Sequence, residues 1–259
     1  MTTFGVILRT GEGTELRQVP VNAEVQEHLE YMLQASQQMA GNRHASPFQL
    51  AEKYGDQDVA TLEFNDPLAE GLRSIYDAEN VAFDRDLPGL SDRIMAYFAS
   101  FRSDTEYWLG IRQSAQFKSL KDKPLILFGD GIWTLSPQPI FKLDDRFDIL
   151  TDGSTVTILS ATTFERVCDL APAIRNAATE GLEEVARQMP YLDSERLQVR
   201  AADYTQSARL VADIQRRQDL NVVTQDKLEL ESGRQGIEYE VVDGQYIVRV
   251  GHEVGLLML

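Results

Sequence analysis

Three Asp-Gly pairs punctuate this chain, at Asp130-Gly131, Asp152-Gly153 and Asp243-Gly244, each flanked by alternating apolar residues. Asp-Gly suits the two-residue type I′ turn, because both central positions need positive φ. Such a turn fixes the register of the strands it joins. About Asp243-Gly244 the implied partners are Val241 with Tyr246, Tyr239 with Val248 and Ile237 with Val250, with Glu238 opposite Arg249 on the other face. About Asp152-Gly153, Ile149 faces Val156 and Phe147 faces Ile158, with Asp148 opposite Thr157. About Asp130-Gly131, Phe128 meets Trp133. The sequence therefore predicts an α+β protein, an antiparallel sheet built from Asp-Gly hairpins with flanking amphipathic helices.

The helices are read from caps and periodicity. Asn22 caps a stripe of Val25, Leu29, Met32 and Met39. Asp66-Pro67 opens a second helix with Leu68, Leu72, Ile75 and Tyr76 at helical spacing. Ser91 precedes Ile94, Phe98 and Phe101, which predicts a helix over 91–101. Thr162-Thr163-Phe164-Glu165 has the form of a capping box. Pro172 starts a longer helix that carries Ile174, Ala178, Leu182, Val185 and Met189 and stops at Pro190. A last helix is expected over 194–217, with Leu197, Ala201, Tyr204, Ala208 and Val211 as its stripe. A candidate boundary lies near 102–105, between an α-rich half and a β-then-α half. That gives an N-terminal α/β region, 1–103, with an acidic segment, and a core of hairpins and helices, 104–259, or one integrated domain.

Charge narrows the range of partners. The net charge is −16 over 259 residues. Glu52 to Asp92 carries eleven acids against three bases, a net of −8, whereas Arg112 to Arg146 carries six bases against four acids. Long-range repulsion slows non-specific DNA binding unless a local basic surface overrides it. The acidic stretch reads as a solvated face, or as a docking surface for a basic partner. No apolar run approaches the roughly 18–20 residues of a spanning helix, and the first residues lack the pattern of a secretory signal. A cytoplasmic location follows as the expectation. Cys168, the single cysteine, rules out an internal disulfide and any multi-cysteine zinc site.

Four aspartates, Asp144, Asp145, Asp148 and Asp152, fall within nine positions. On an unbroken strand, Asp144 and Asp148 would stand roughly 13 Å apart, too far for one divalent ion. Hairpin trim is therefore the favoured reading, and a metal-dependent nuclease using Asp144, Asp145 and Asp148 the alternative. His28, His44 and His252 lack the i, i+4 spacing of a helical zinc pair. Cys168 sits between Glu165 and Asp169, which disfavour a thiolate, so it reads as a packed small hydrophobe. Arg9-Thr-Gly-Glu-Gly13 is explained by a hairpin turn, and no phosphate-cradling loop or nucleophile elbow is present. No cofactor is implied. Lys118, Lys121 and Lys123, with Arg112, Lys142 and Arg146 adjoining and aromatics interleaved, form the candidate nucleic-acid surface. A lysine-decorated sheet edge accounts for the same residues.

The run FDILTDGSTVTILSATTFERV, with Phe147-Asp148, the turn Asp152-Gly153, alternating Thr155 to Leu159, and Phe164-Glu165 in the next helix, resembles the KwaB-like proteins, the B-component family of the Kiwa anti-phage system. The likeness extends loosely over about residues 104–250. It implies a bacterial defence protein that associates with DNA, assembles as a homo-oligomer and works beside a small membrane-embedded partner, which would recruit it to the inner face of the membrane. The resemblance carries no catalytic motif onto residues of this chain. The functional expectation is a non-catalytic DNA- and partner-binding component. A metal-dependent nuclease and a purely structural assembly protein are its rivals.

Overall fold

The structure, a computed structural model, describes residues 1–11, 13–52, 54–78, 81–83, 93–114, 126–129, 132–135, 143–188, 208–209, 230, 233–234, 236, 238–242 and 245–248, with backbone alone for 126–129, 132–135, 183–188, 241–242 and 245–248. The chain divides into two compact units, one of Met1–Phe48 and Tyr54–Asp169, the other of Gln49–Lys53 and Leu170–Leu259.

The first unit is a nine-stranded mixed sheet among the described residues. Its strands are β1 (Thr2–Thr10), β2 (Gly13–Val19), β3 (His44–Pro47), β4 (Asp58–Glu63), β5 (Ala82–Phe83), β6 (Ile94–Arg102), β7 (Tyr107–Gln113), β10 (Ile149–Thr151) and β11 (Thr155–Ile158). The spatial order is β3-β4-β11-β10-β7-β6-β1-β2-β5. The inner pairings are antiparallel, while both edges, β3 on β4 and β5 on β2, are parallel. The α+β class holds, but with a mixed sheet in place of a purely antiparallel one. The expected turn after Thr10 is present, with Thr10 paired to Gly13.

Helix α1 (Ala23–Gly41) begins where the sequence predicts, with Asn22 Oδ1 accepting from Val25 N–H at 3.0 Å. Its Leu29 and Met32 join Phe4, Val6 and Leu8 of β1, Tyr97, Ala99 and Phe101 of β6, Leu150 of β10 and Phe147 in one buried cluster. Asp66 caps a 3₁₀ turn, Pro67–Ala69, through Leu68 N–H at 2.8 Å, and α2 (Glu70–Tyr76) follows directly, burying Leu72 and Ile75.

Two expectations are corrected, the helix over 91–101 and the cap before Phe164. The segment predicted as a helix over 91–101 is β6. Ile94, Phe98 and Phe101 do recur at helical spacing, but Met95 to Ala99 are all buried. An inner strand covered on both faces needs a continuous apolar run, which imitates a helical stripe. Helix α3 (Ala161–Val167) is capped by Ser160, whose Oγ accepts from Thr163 N–H, and not by Thr162. The proposed boundary at 103/104 falls inside the β6–β7 hairpin, where Arg102 pairs with Tyr107.

The hairpins differ among themselves. Strands β8 (Ile126–Gly129) and β9 (Ile132–Leu135) pair with Phe128 opposite Trp133, the predicted register. In the second unit, β12 (Tyr239–Val242) and β13 (Gln245–Val248) pair Tyr239 with Val248 and Val241 with Tyr246, again as predicted. Asp130-Gly131 and Asp243-Gly244 themselves lie outside the described residues, as does the pairing of Ile237 with Val250. At Asp152-Gly153 the predicted register is wrong by two. Thr151 pairs with Val156 and Ile149 with Ile158. Gly153 alone of the two takes positive φ, +87°. Asp152 Oδ1 instead accepts from Ser154 N–H, Ser154 Oγ–H and Thr155 N–H, at 2.8, 2.8 and 2.9 Å, so its side chain organises a longer turn. Burial raises the Asp152 pKa, but those three donors outweigh it and hold the group below the ordinary carboxylate value.

The second unit's described helix, α4 (Ala171–Gln188), has Ile174, Ala178 and Leu182 buried, matching the stripe read after Pro172. The helix expected over 194–217 lies outside the described residues except for Ala208 and Arg209, which are helical.

Candidate functional site

The aspartate-rich stretch does not run as a strand. Residues 143–148 bend, and β10 begins only at Ile149. The premise that Asp144 and Asp148 stand 13 Å apart is therefore overturned, because both reach the same cation. Arg112, near the end of β7, places Nε 3.1 Å from Asp144 Oδ2 and Nη1 2.5 Å from Asp148 Oδ1. The exposures of the three side chains are 21%, 15% and 8% for Arg112, Asp144 and Asp148, so water screens the pairs little.

The sheet explains the convergence. Tyr97 of β6 lies opposite Arg112 of β7, and Ala99 lies opposite Gly110, so these residues share the face that α1 covers. A Cβ on Gly110 would stand 2.6 Å from the Phe147 ring. Only glycine lets Phe147 lie flat on the strand, and Phe147 N–H is in turn held by Ser36 Oγ of α1 at 2.8 Å. That anchorage bends the segment back so that the residues on either side of Phe147 point their carboxylates at Arg112.

Each aspartate is pinned on several atoms. Asp144 N–H donates to Tyr97 Oη at 3.0 Å, its carbonyl accepts from His28 Nε2–H at 2.8 Å, and Tyr97 Oη–H reaches its Oδ2 at 3.4 Å. A carbonyl can only accept, so His28 carries its proton on Nε2 here. Asp148 N–H donates to the Ile111 carbonyl, and its own carbonyl accepts from Leu159 and Ser160 N–H. Its Oδ2 accepts from Gln113 N–H at 3.0 Å and Thr163 Oγ1–H at 2.9 Å. The cluster thus ties α1, β6, β7, the 143–148 bend and α3 together.

Its electrostatics follow. Burial alone would weaken the proton on Arg112, but the charges of Asp148 and Asp144 and the hydrogen bonds to both hold it more firmly than on a free arginine. Burial pushes the Tyr97 phenol up, against the Asp144 N–H that favours its ionised form. The arrangement presents a hydrogen-bonded knot of one cation and two carboxylates, each carboxylate engaged by Arg112.

The remaining candidates are placed as follows. Asp145 is exposed and joins neither partner, and Arg146 is half-buried without an ion pair among the described residues. Arg112 is paired with both aspartates. Lys118, Lys121, Lys123 and Lys142 lie outside the described residues. No group of three or more His, Cys, Asp or Glu among the described residues is arranged to hold a metal ion. His44 is exposed, near Asp58 at 4.0 Å. Burial pushes the Cys168 thiol up to about 12, which the Leu72 backbone hydrogen bond and the Arg73 charge offset only in part.

In the acidic 52–92 stretch, several carboxylates perform local work. Asp58 Oδ2 accepts from Gly55 N–H, and Asp66 caps the turn before α2. The partners that sequence reasoning missed are Tyr97, Gln113, Thr163 and Ser36. Only the Ser160-x-x-Thr163 spacing, a helix-start pattern, gave any local signal. No helix among the described residues is long and apolar enough to cross a membrane. No family model, curated protein or solved structure matches the chain.

Proposed function

We propose that the chain is a non-catalytic component of an anti-phage defence complex, the role implied by its resemblance to KwaB-like proteins. In this reading it binds DNA and a small membrane-embedded partner, assembles as a homo-oligomer, and works in the cytoplasm at the inner face of the membrane. One observation supports the non-catalytic part: Asp144 and Asp148 share Arg112, so both of these carboxylates of the candidate nuclease set are already engaged by one cationic side chain. Metal-dependent cleavage would need Arg112 to withdraw from both carboxylates, the buried Asp148 and the half-buried Asp144.

The DNA-binding surface in this proposal consists of Lys118, Lys121, Lys123, Lys142 and Arg146. Five phosphate contacts give a salt dependence with a slope of about −4.5 in log K against log salt. The experiment is a duplex-binding titration across salt, run beside a cleavage assay with magnesium and manganese. Salt-sensitive binding that Lys121→Glu with Lys123→Glu weakens, with the duplex left intact, is the expected result. Strand scission lost in Asp148→Asn would favour the nuclease. Absence of binding at low salt would remove the DNA role.

A further inference from the structure

Beside the C-terminal end of α1 lies an open groove of about 360 Å³, lined by Ala35, Gln38, Met39, Asn42, Arg43, Asp56 and Gln57. Its volume falls at the lower end of small-molecule sites. Its chemistry is mixed in a particular way. Arg43 and Asp56 carry opposite charges on one groove, yet among the described residues neither forms an ion pair or a side-chain hydrogen bond, with the other or with anything else. Arg43 is half-buried and Asp56 exposed. Among the described residues of this unit Arg17, Arg93 and Arg112 do form ion pairs, Arg17 and Arg93 with Glu15 and Arg112 with two aspartates. Arg43 and Asp56 thus line one groove with neither charge answered by a described side chain, which leaves both open to a ligand.

The surroundings select against a ligand with one charge. A simple anion at Arg43 would meet Asp56 and the negative end of the α1 dipole, and a simple cation at Asp56 would meet Arg43. A ligand carrying both charges on adjacent atoms satisfies each. The amides of Gln38, Asn42 and Gln57 offer donors and acceptors to either group, and Met39 and Ala35 add apolar lining.

We infer that this groove is a binding site for a small zwitterion of the α-amino acid class, with Arg43 taking the carboxylate, Asp56 the ammonium and Met39 the aliphatic side chain. The site is separate from the Arg112 cluster and does not depend on the role proposed above.

The test uses the full chain and three matched probes: leucine, its amine analogue 3-methylbutylamine, and its acid analogue 4-methylpentanoate. Binding is followed through backbone amide shifts of residues 38–43 and 55–57. Leucine is expected to titrate those amides saturably, with each single-charge analogue about tenfold weaker. Arg43→Gln should remove the preference over the amine, and Asp56→Asn the preference over the acid, since each variant deletes one recognition and leaves the other. Both positions lie at the surface, and retention of the wild-type melting temperature verifies folding. Equal binding of all three probes, no saturable shift with leucine, or shifts that map elsewhere would each overturn the assignment.

Discussion

Replacing Arg112 by methionine keeps most of the side-chain volume and deletes the charge. Asp148 then keeps Gln113 N–H and Thr163 Oγ1–H on Oδ2, while its Oδ1 loses its donor in a site where the side chain is 8% exposed. Asp144 keeps the Tyr97 hydroxyl and loses the stronger contact from Nε. Breaking a buried pair from one side costs about 3–5 kcal/mol, because the remaining charge is stranded. Two carboxylates are stranded here, but Asp144 is closer to solvent, so a loss of about 4 kcal/mol is the working value. A domain typically holds about 5–15 kcal/mol in all, so the variant should remain folded in cold, mild buffer and unfold far earlier in urea. The assay is urea denaturation followed by circular dichroism, with slope and midpoint reported separately. Arg112→Met with Asp148→Asn should lose less than the sum of the two single changes, because the stranded charge is removed. A loss below about 1 kcal/mol is the signature of a solvated pair and would refute the reasoning.

Three further outcomes follow from local geometry. Gly110→Ala should cost about 1–3 kcal/mol, since the new methyl meets the Phe147 ring at 2.6 Å, and a thermal melt measures it. Asp169→Gly should raise the melting temperature, with a gain of about 0.5 kcal/mol, because Asp169 holds φ at +50° just beyond α3 where glycine is unstrained; a fall would mean that its carboxylate has an unrecognised contact. Cys168, half-buried and with its thiol raised to about 12, should react with a disulfide reagent near pH 8 about a thousandfold more slowly than an unhindered cysteine, with the rate recovering in urea; fast native labelling would contradict the raised pKa.

What the sequence made legible was local. The Asn22 cap, the Asp66-Pro67 start and the registers about residues 128–133 and 239–248 each depend on residues within a turn or two, and each appears as read. The errors have a common physical origin in non-local packing. Strand β6 passed for a helix because its second buried face is supplied by segments distant in sequence. The Asp152 turn slipped by two because a side-chain carboxylate, and not backbone φ preference, sets its length. The candidate site was misread for the same reason. Arg112 lies 32 and 36 residues from its two aspartates, and the bend that joins them depends on Phe147 resting on Gly110. Sequence spacing could offer either a metal set or strand trim. A buried ion-pair knot needed the sheet register to bring β7 beside the 143–148 bend.

Arg112 is an internal counter-ion, paired with both Asp144 and Asp148, and in the proposed function it is withheld from metal chemistry and DNA. The side-chain Nε–H resonance of Arg112, assigned through its loss in Arg112→Lys, reports on this directly. The account predicts a slowly exchanging Nε–H whose position stays fixed as magnesium and then a DNA duplex are added. A rapidly exchanging signal, or one that moves saturably with either addition, would contradict it.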